Sequence, residues 1–78
     1  MKELICLSEV IPGQTGVVKK IKSTGDLKRR LLDMGIVPGS RFELVKLAPL
    51  GDPIDIKIKK YHLSLRKEEA EQIVVEVV

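Results

Sequence analysis

Residues 53–61 read Pro-Ile-Asp-Ile-Lys-Ile-Lys-Lys-Tyr, and this stretch decides what kind of fold the chain can adopt. Successive side chains of a strand point to opposite faces, so Ile54, Ile56 and Ile58 share one face while Asp55, Lys57 and Lys59 share the other. A strand with one apolar and one charged face has a core on one side and water on the other, which is the habit of antiparallel sheets. The same period of two precedes it at 40–48, Ser-Arg-Phe-Glu-Leu-Val-Lys-Leu-Ala, where Phe42 and Leu44 lie on one face. Val45 and Leu47 fall on the opposite face, so the inward phase is expected to switch after Leu44, as at a β-bulge or a barrel corner. Downstream, Leu63 and Leu65 keep the alternation. The polar run at 66–72, Arg-Lys-Glu-Glu-Ala-Glu-Gln, predicts a short helical turn over about 67–72 that turns Ala70, with Ile73 beyond it, toward the core. A last strand, Ile-Val-Val-Glu-Val-Val, follows at 73–78.

Upstream the period changes to that of a helix. Leu27, Leu31 and Met34 recur at i, i+4 and i+7, and Leu32 widens the stripe, predicting a helix over about 23–34. Ser23 followed by Asp26 resembles a capping box with Asp in place of Glu. Gly35 supplies a left-handed stop, and Pro38 prevents continuation. Before this helix a strand is expected from near Gly16, with Val17 and Ile21 inward and Val18, Lys20 and Lys22 outward. That phase puts Lys19 on the inner side, which suggests a short or bulged strand. Ser8 is placed to cap one helical turn, and Pro12, Gly13 and Gly16 are turn residues.

The expected order is therefore strand, helix, strand, strand, short strand, helical turn, strand. Helices are too few to cover a parallel sheet, and antiparallel strands in so short a chain need closure to protect their edges. The prediction is a mainly β fold, a small SH3-like, partly open barrel with one inserted helix. Residues 1–78 form a single domain in this reading, since a chain of 78 residues buries only about 60% of its unfolded surface and shows no shift of composition.

Apolar residues make up 44% of the chain and charged residues 32%, a globular balance. Phe42 and Tyr61 are the only aromatic residues, so the core must be aliphatic. Single-strand nucleic-acid binding by a small barrel relies on aromatic stacking platforms, which two rings supply poorly. The row Lys57, Lys59, Lys60 is suggestive of an anionic partner without being specific. Six basic residues crowd between Lys19 and Arg30 against the one acid Asp26, on a chain of net charge +3. Such a run reads first as a solvated face and second as a nucleic-acid surface. The lone Cys6 cannot form an internal disulfide and fits a reducing compartment, so a cytoplasmic location is expected. No stretch approaches the ~20 apolar residues of a membrane span, and the acids of the N-terminal stretch argue against a signal peptide.

Catalytic constellations are missing from this pattern. His62 is the only histidine, so a nucleophilic triad is not expected. The glycines never form a phosphate-cradling run before a helix. One Cys and one His do not make a zinc site. Glu68, Glu69 and Glu71 share a turn and are expected to pair with Arg66 and Lys67 as solvated surface. The predicted sets of catalytic residues, metal ligands and cofactor contacts are accordingly all empty.

Three blocks taken together, LKRRLLDMGIVPGSRFELV at 27–45, APLGDPIDIKI at 48–58 and YHLSLRKEEAEQIVVE at 61–76, resemble the FeoA family. These are small cytoplasmic accessory proteins of bacterial ferrous iron uptake, similar also to the SH3-like C-terminal domain of iron-dependent repressors. The resemblance implies the barrel already expected, no enzymatic activity, and one partner: the membrane ferrous iron transporter with its cytosolic GTP-binding domain. It would hold the protein at the inner face of the membrane through that partner. Two other readings stand beside it, a stand-alone regulatory domain related to the repressors and a direct ferrous ion carrier. The repressor reading lacks room for a winged-helix DNA-binding portion.

The loop Ala48-Pro49-Leu50-Gly51-Asp52-Pro53 places a leucine amid turn chemistry. Either Leu50 folds back to cap a barrel end, or it stands exposed as an apolar anchor on a tight turn, with Asp52 nearby for polar fixing. The expected partner-binding residues are Leu50 and Asp52, with Arg29 and Arg30 of the helix as further contacts.

Overall fold

The alternation at 54–58 forms a strand, Ile54–Ile58 (β4), whose three isoleucines are all buried while Lys57 is exposed. Around it the computed structural model, which describes residues 4–47 and 52–78, places five more strands and two short helices. The strands are Leu4–Cys6 (β1), Thr15–Ile21 (β2), Arg41–Leu47 (β3), Tyr61–Leu65 (β5) and Ile73–Val77 (β6), and the helices are Asp26–Asp33 (α1) and Lys67–Ala70 (α2). A 3-10 turn at Leu7–Glu9 follows β1. All strand pairs are antiparallel, in the order β1-β6-β2-β3-β4-β5, so that one six-stranded sheet wraps a single core and stays open between β1 and β5. This is the SH3-like, mainly β architecture with one helix inserted after the first long strand.

The core is aliphatic apart from Phe42, with Leu31 from α1 and Ala70 from α2 among its buried members. Leu27, Leu32 and Met34 pack against it from α1, so the helical stripe serves the core. Phe42 lies opposite Gly16 in the ladder, and a Cβ at Gly16 would meet the Phe42 ring at 2.9 Å and the Glu76 carbonyl at 2.5 Å. The glycine makes room for the one buried aromatic ring.

Several local readings are corrected. In β2 it is Val18 that is buried, and Val17 lies on the outer face. The ladder to β6 shifts between Val18 and Lys20, so the extra residue Lys19 faces water together with Lys20 and the inward phase is restored at Ile21. The lysine is thereby spared burial, and its Nζ lies 3.6 Å from Glu76 Oε1. In β3 a shift does occur between Leu44 and Lys46, but Val45 and Leu47 remain exposed. The phase has changed as expected, since Leu47 stands opposite the buried Ile54, yet as the last residue of β3 it stays 36% exposed.

Helix α1 begins three residues later than the pattern predicts. Its N-cap is Gly25, without a side-chain cap, because Ser23 is used elsewhere: its Oγ donates to Gln72 Oε1 at 3.1 Å. The one-turn helix near Ser8 starts after Cys6, and the strand Leu4–Cys6 before it has no signal in the sequence. A three-residue strand is too short to show a period.

Candidate functional site

Helix α2 is one turn long and owes its position to side chains from elsewhere in the chain. Glu69, at its third position, accepts the Arg66 backbone N–H at Oε1 over 2.9 Å, which satisfies one of the free donors at the helix start. The same carboxylate takes the guanidinium of Arg30 from α1 on its other oxygen. Asp52 Oδ1 accepts the Lys67 N–H at 3.0 Å, supplying a cap from a distant loop. At the far end the Lys22 N–H donates to the Gln72 carbonyl at 2.7 Å. Asp52, Pro53, Ser64, Leu65, Arg66 and Glu69 line a polar depression of about 410 Å³ between the start of β4 and α2.

Of the residues expected at a partner surface, Asp52 and Arg30 are thus both tied to α2, and each is engaged inside the domain. Arg30 keeps 64% of its side chain exposed while Glu69 keeps 12%, so the pair is open to a partner on the arginine side only. Arg29 is exposed and makes no ion pair among the described residues. Leu50 lies outside the described residues, as does the turn glycine Gly51. Glu69 does not pair with the Arg66 or Lys67 side chains as the sequence suggested; its ionic partner is Arg30, 39 residues away. Local spacing shows only which charges share a turn, and it cannot show that Arg30 of α1 reaches Glu69 of α2.

Cys6 is half-buried on edge strand β1, where Lys22 Nζ lies 3.5 Å from its sulfur. His62 is exposed on β5, at the other end of the strand order and opposite Lys57. No cluster of three or more His, Cys, Asp or Glu suited to a metal ion occurs among the described residues. Among them, too, no helix is long and apolar enough to cross a membrane.

Fold and site together define a small SH3-like domain whose charged groups either clamp its own helices or face water. Residues 5–77 match the model of the FeoA domain. Over 72 residues, 92% of its length, the chain is 39% identical to an Fe(2+) transport protein A/Fe(2+) transporter FeoB fusion protein of Porphyromonas gingivalis, and it spans only 8% of that protein. Among solved structures, iron(II) transport protein A of Clostridium thermocellum is 46% identical with a TM-score of 0.91, over 95% of this chain and 46% of that one. A FeoA-like protein of Clostridium acetobutylicum is 41% identical, also with a TM-score of 0.91, over 100% of this chain and 91% of its own. A manganese-dependent transcriptional repressor, 22% identical with a TM-score of 0.89 over 44% of its length, shares the fold alone. The chain belongs to the FeoA family.

Proposed function

We propose that this protein is a non-enzymatic accessory protein of ferrous iron uptake that binds the cytosolic, GTP-binding part of the membrane ferrous iron transporter. The observation that carries the reading is the fusion relative, in which a domain 39% identical to this chain shares one polypeptide with a ferrous iron transporter. Tethering two modules raises their effective concentration for each other, which brings an advantage only where the two engage. A cytoplasmic location at the inner membrane face follows from such a partner.

The test is co-purification. A tagged copy, expressed in cells that make the transporter and solubilised in detergent, is expected to bring the transporter down. Recovery of the tagged protein with DNA or alone would overturn the reading. The same assay examines the 48–53 loop: Leu50→Ser is expected to leave the melting temperature unchanged and to weaken recovery as loss of an interface anchor does, by ~1–2 kcal/mol or more. A fall in stability with recovery intact would instead make Leu50 a cap of the barrel, and the search for the contact would move to Arg29 and the exposed side of Arg30.

The carrier alternative makes the opposite demand on Cys6 and His62, the best soft and imidazole ligands in the chain. The double variant Cys6→Ser, His62→Gln is expected to support iron uptake at the wild-type level in iron-limited cells. Loss of uptake by a variant that still melts normally would restore the carrier reading.

A further inference from the structure

The outer face of the sheet holds a second depression, of about 520 Å³, on the side away from the core. The ladder explains who lines it. Val17 stands opposite Arg41 on β3 and Glu76 on β6, and Glu43 stands opposite Lys57 on β4. All five alternate along their strands with the buried Val18, Phe42, Ile56 and Val75, so they face outward together. Lys59, in the left-handed conformation at φ 56° after β4, lines the same depression, as does Val78, which is 70% exposed. The apolar side chains that line it are Val17, Val78 and Phe42, the last almost wholly buried.

The charge in this depression is unbalanced. Glu76 has Lys19 within 3.6 Å, and that pair neutralises itself. Arg41, Lys57 and Lys59 remain against the one side-chain carboxylate of Glu43, and none of the three makes an ion pair or a side-chain hydrogen bond among the described residues. Free cations are ordinary on a surface, but here three of them stand around a depression of ligand-pocket size that also presents Val17 and Val78.

We propose that this depression is a docking site for an acidic, extended peptide segment of a partner protein. Its carboxylates reach Arg41, Lys57 and Lys59, and an apolar side chain rests on Val17 and Val78. Arg41 and Lys57 are diagonal neighbours across β3 and β4, about 7–8 Å apart at the backbone. Side chains at alternate positions of an extended peptide are spaced by about 6.6 Å, so two of its carboxylates match the two cations without distortion. A free phosphate would leave the valines unused. A second copy of this chain, itself of net charge +3, would bring cations toward cations. The proposal is independent of the transporter reading, since the partner is defined here by its chemistry alone.

The test is a titration of the isotope-labelled protein, followed by its amide NMR spectrum. The probe is the synthetic heptapeptide acetyl-Glu-Ser-Glu-Ser-Val-Ser-Glu-amide, with an analogue in which every Glu is Gln. Saturable shifts are expected in residues 15–17, 41–43, 57–59 and 76–78, and the Gln analogue is expected to bind at least about tenfold more weakly. The triple variant Arg41→Gln, Lys57→Gln, Lys59→Gln is expected to lose binding by a similar factor. A triple variant of equal charge elsewhere, Lys20→Gln, Lys28→Gln, Lys67→Gln, is expected to bind within about twofold of wild type. Equal affinity for the two peptides, absence of saturable shifts, shifts centred on Lys20, Lys28 and Lys67, or reproduction of the shifts by inorganic phosphate would each overturn the proposal. The peptide comparison needs only the wild-type chain, so it decides the matter even if a variant folds poorly.

Discussion

Ile56→Asp is expected to abolish cooperative thermal unfolding, leaving no melting transition by circular dichroism under conditions where the wild-type chain melts sharply. Ile56 is 1% exposed, on a strand with neighbours on both sides, and its ladder partners Leu44 and Leu63 are apolar. An ionised carboxylate there has no cation within the core. It must be buried uncompensated or protonated, and the side chain also forfeits the transfer energy of the isoleucine, so the cost is several kcal/mol. At about 0.05–0.15 kcal/mol of stability per residue, a domain this small has little beyond that to lose. Lys57→Asp, one residue away and exposed, is the control. It sets a second carboxylate opposite Glu43, so a loss of under ~1 kcal/mol is expected, with the transition preserved. Equal melting of the two variants would refute the assignment of strand faces.

Gly35→Val carries the second large effect. The end of α1 is a Schellman motif: the Gly35 N–H donates to the Leu32 carbonyl and the Ile36 N–H to the Leu31 carbonyl, each at 3.0 Å. Leu31 and Ile36, the two apolar residues that such a motif brings together, are both fully buried. The motif requires the left-handed backbone seen at Gly35, with φ of 94°. An L side chain there costs roughly 1–2 kcal/mol, more if β-branched. A Cβ at Gly35 would also run into the Tyr61 hydroxyl, so this half-exposed side chain has to swing aside. A loss of about 2–4 kcal/mol is expected, read as a fall in the denaturant midpoint. The two causes separate in a double-mutant cycle. Gly35→Ala in a Tyr61→Phe background is expected to recover the steric part and keep the backbone part. If Gly35→Ala costs nothing in either background, the helix does not end in this way.

These two positions are legible in the sequence because each signal is local. The faces of β4 follow from a period of two between charged and branched apolar residues, and Gly35 with Pro38 marks a helix end by backbone conformation alone. The inserted helix, the bulge near Val45 and the mainly β class are of the same kind. Wherever the pattern misleads, a distant group has intervened. The phase of β2 depends on Lys19 bulging out to reach Glu76 on β6, which a strict alternation cannot express. Ser23 looks like a cap until Gln72, 49 residues on, takes its hydroxyl.

The candidate surfaces divide along the same line. The sequence could name Asp52, Arg29 and Arg30 as exposed polar groups beside a helix and a loop, but it could not say that Asp52 caps α2 or that Arg30 is held by Glu69. Likewise Lys57 and Lys59 are visible as an outward row, while Arg41, Val17 and Val78 join them only because β2, β3, β4 and β6 are neighbours in the sheet. Periodicity, glycine and proline act over one turn or one strand, so the chain by itself determined its elements, most of their buried faces and its family. Which charges meet is set by strand order and helix placement, through contacts between residues far apart in the chain, and that only the tertiary structure decided.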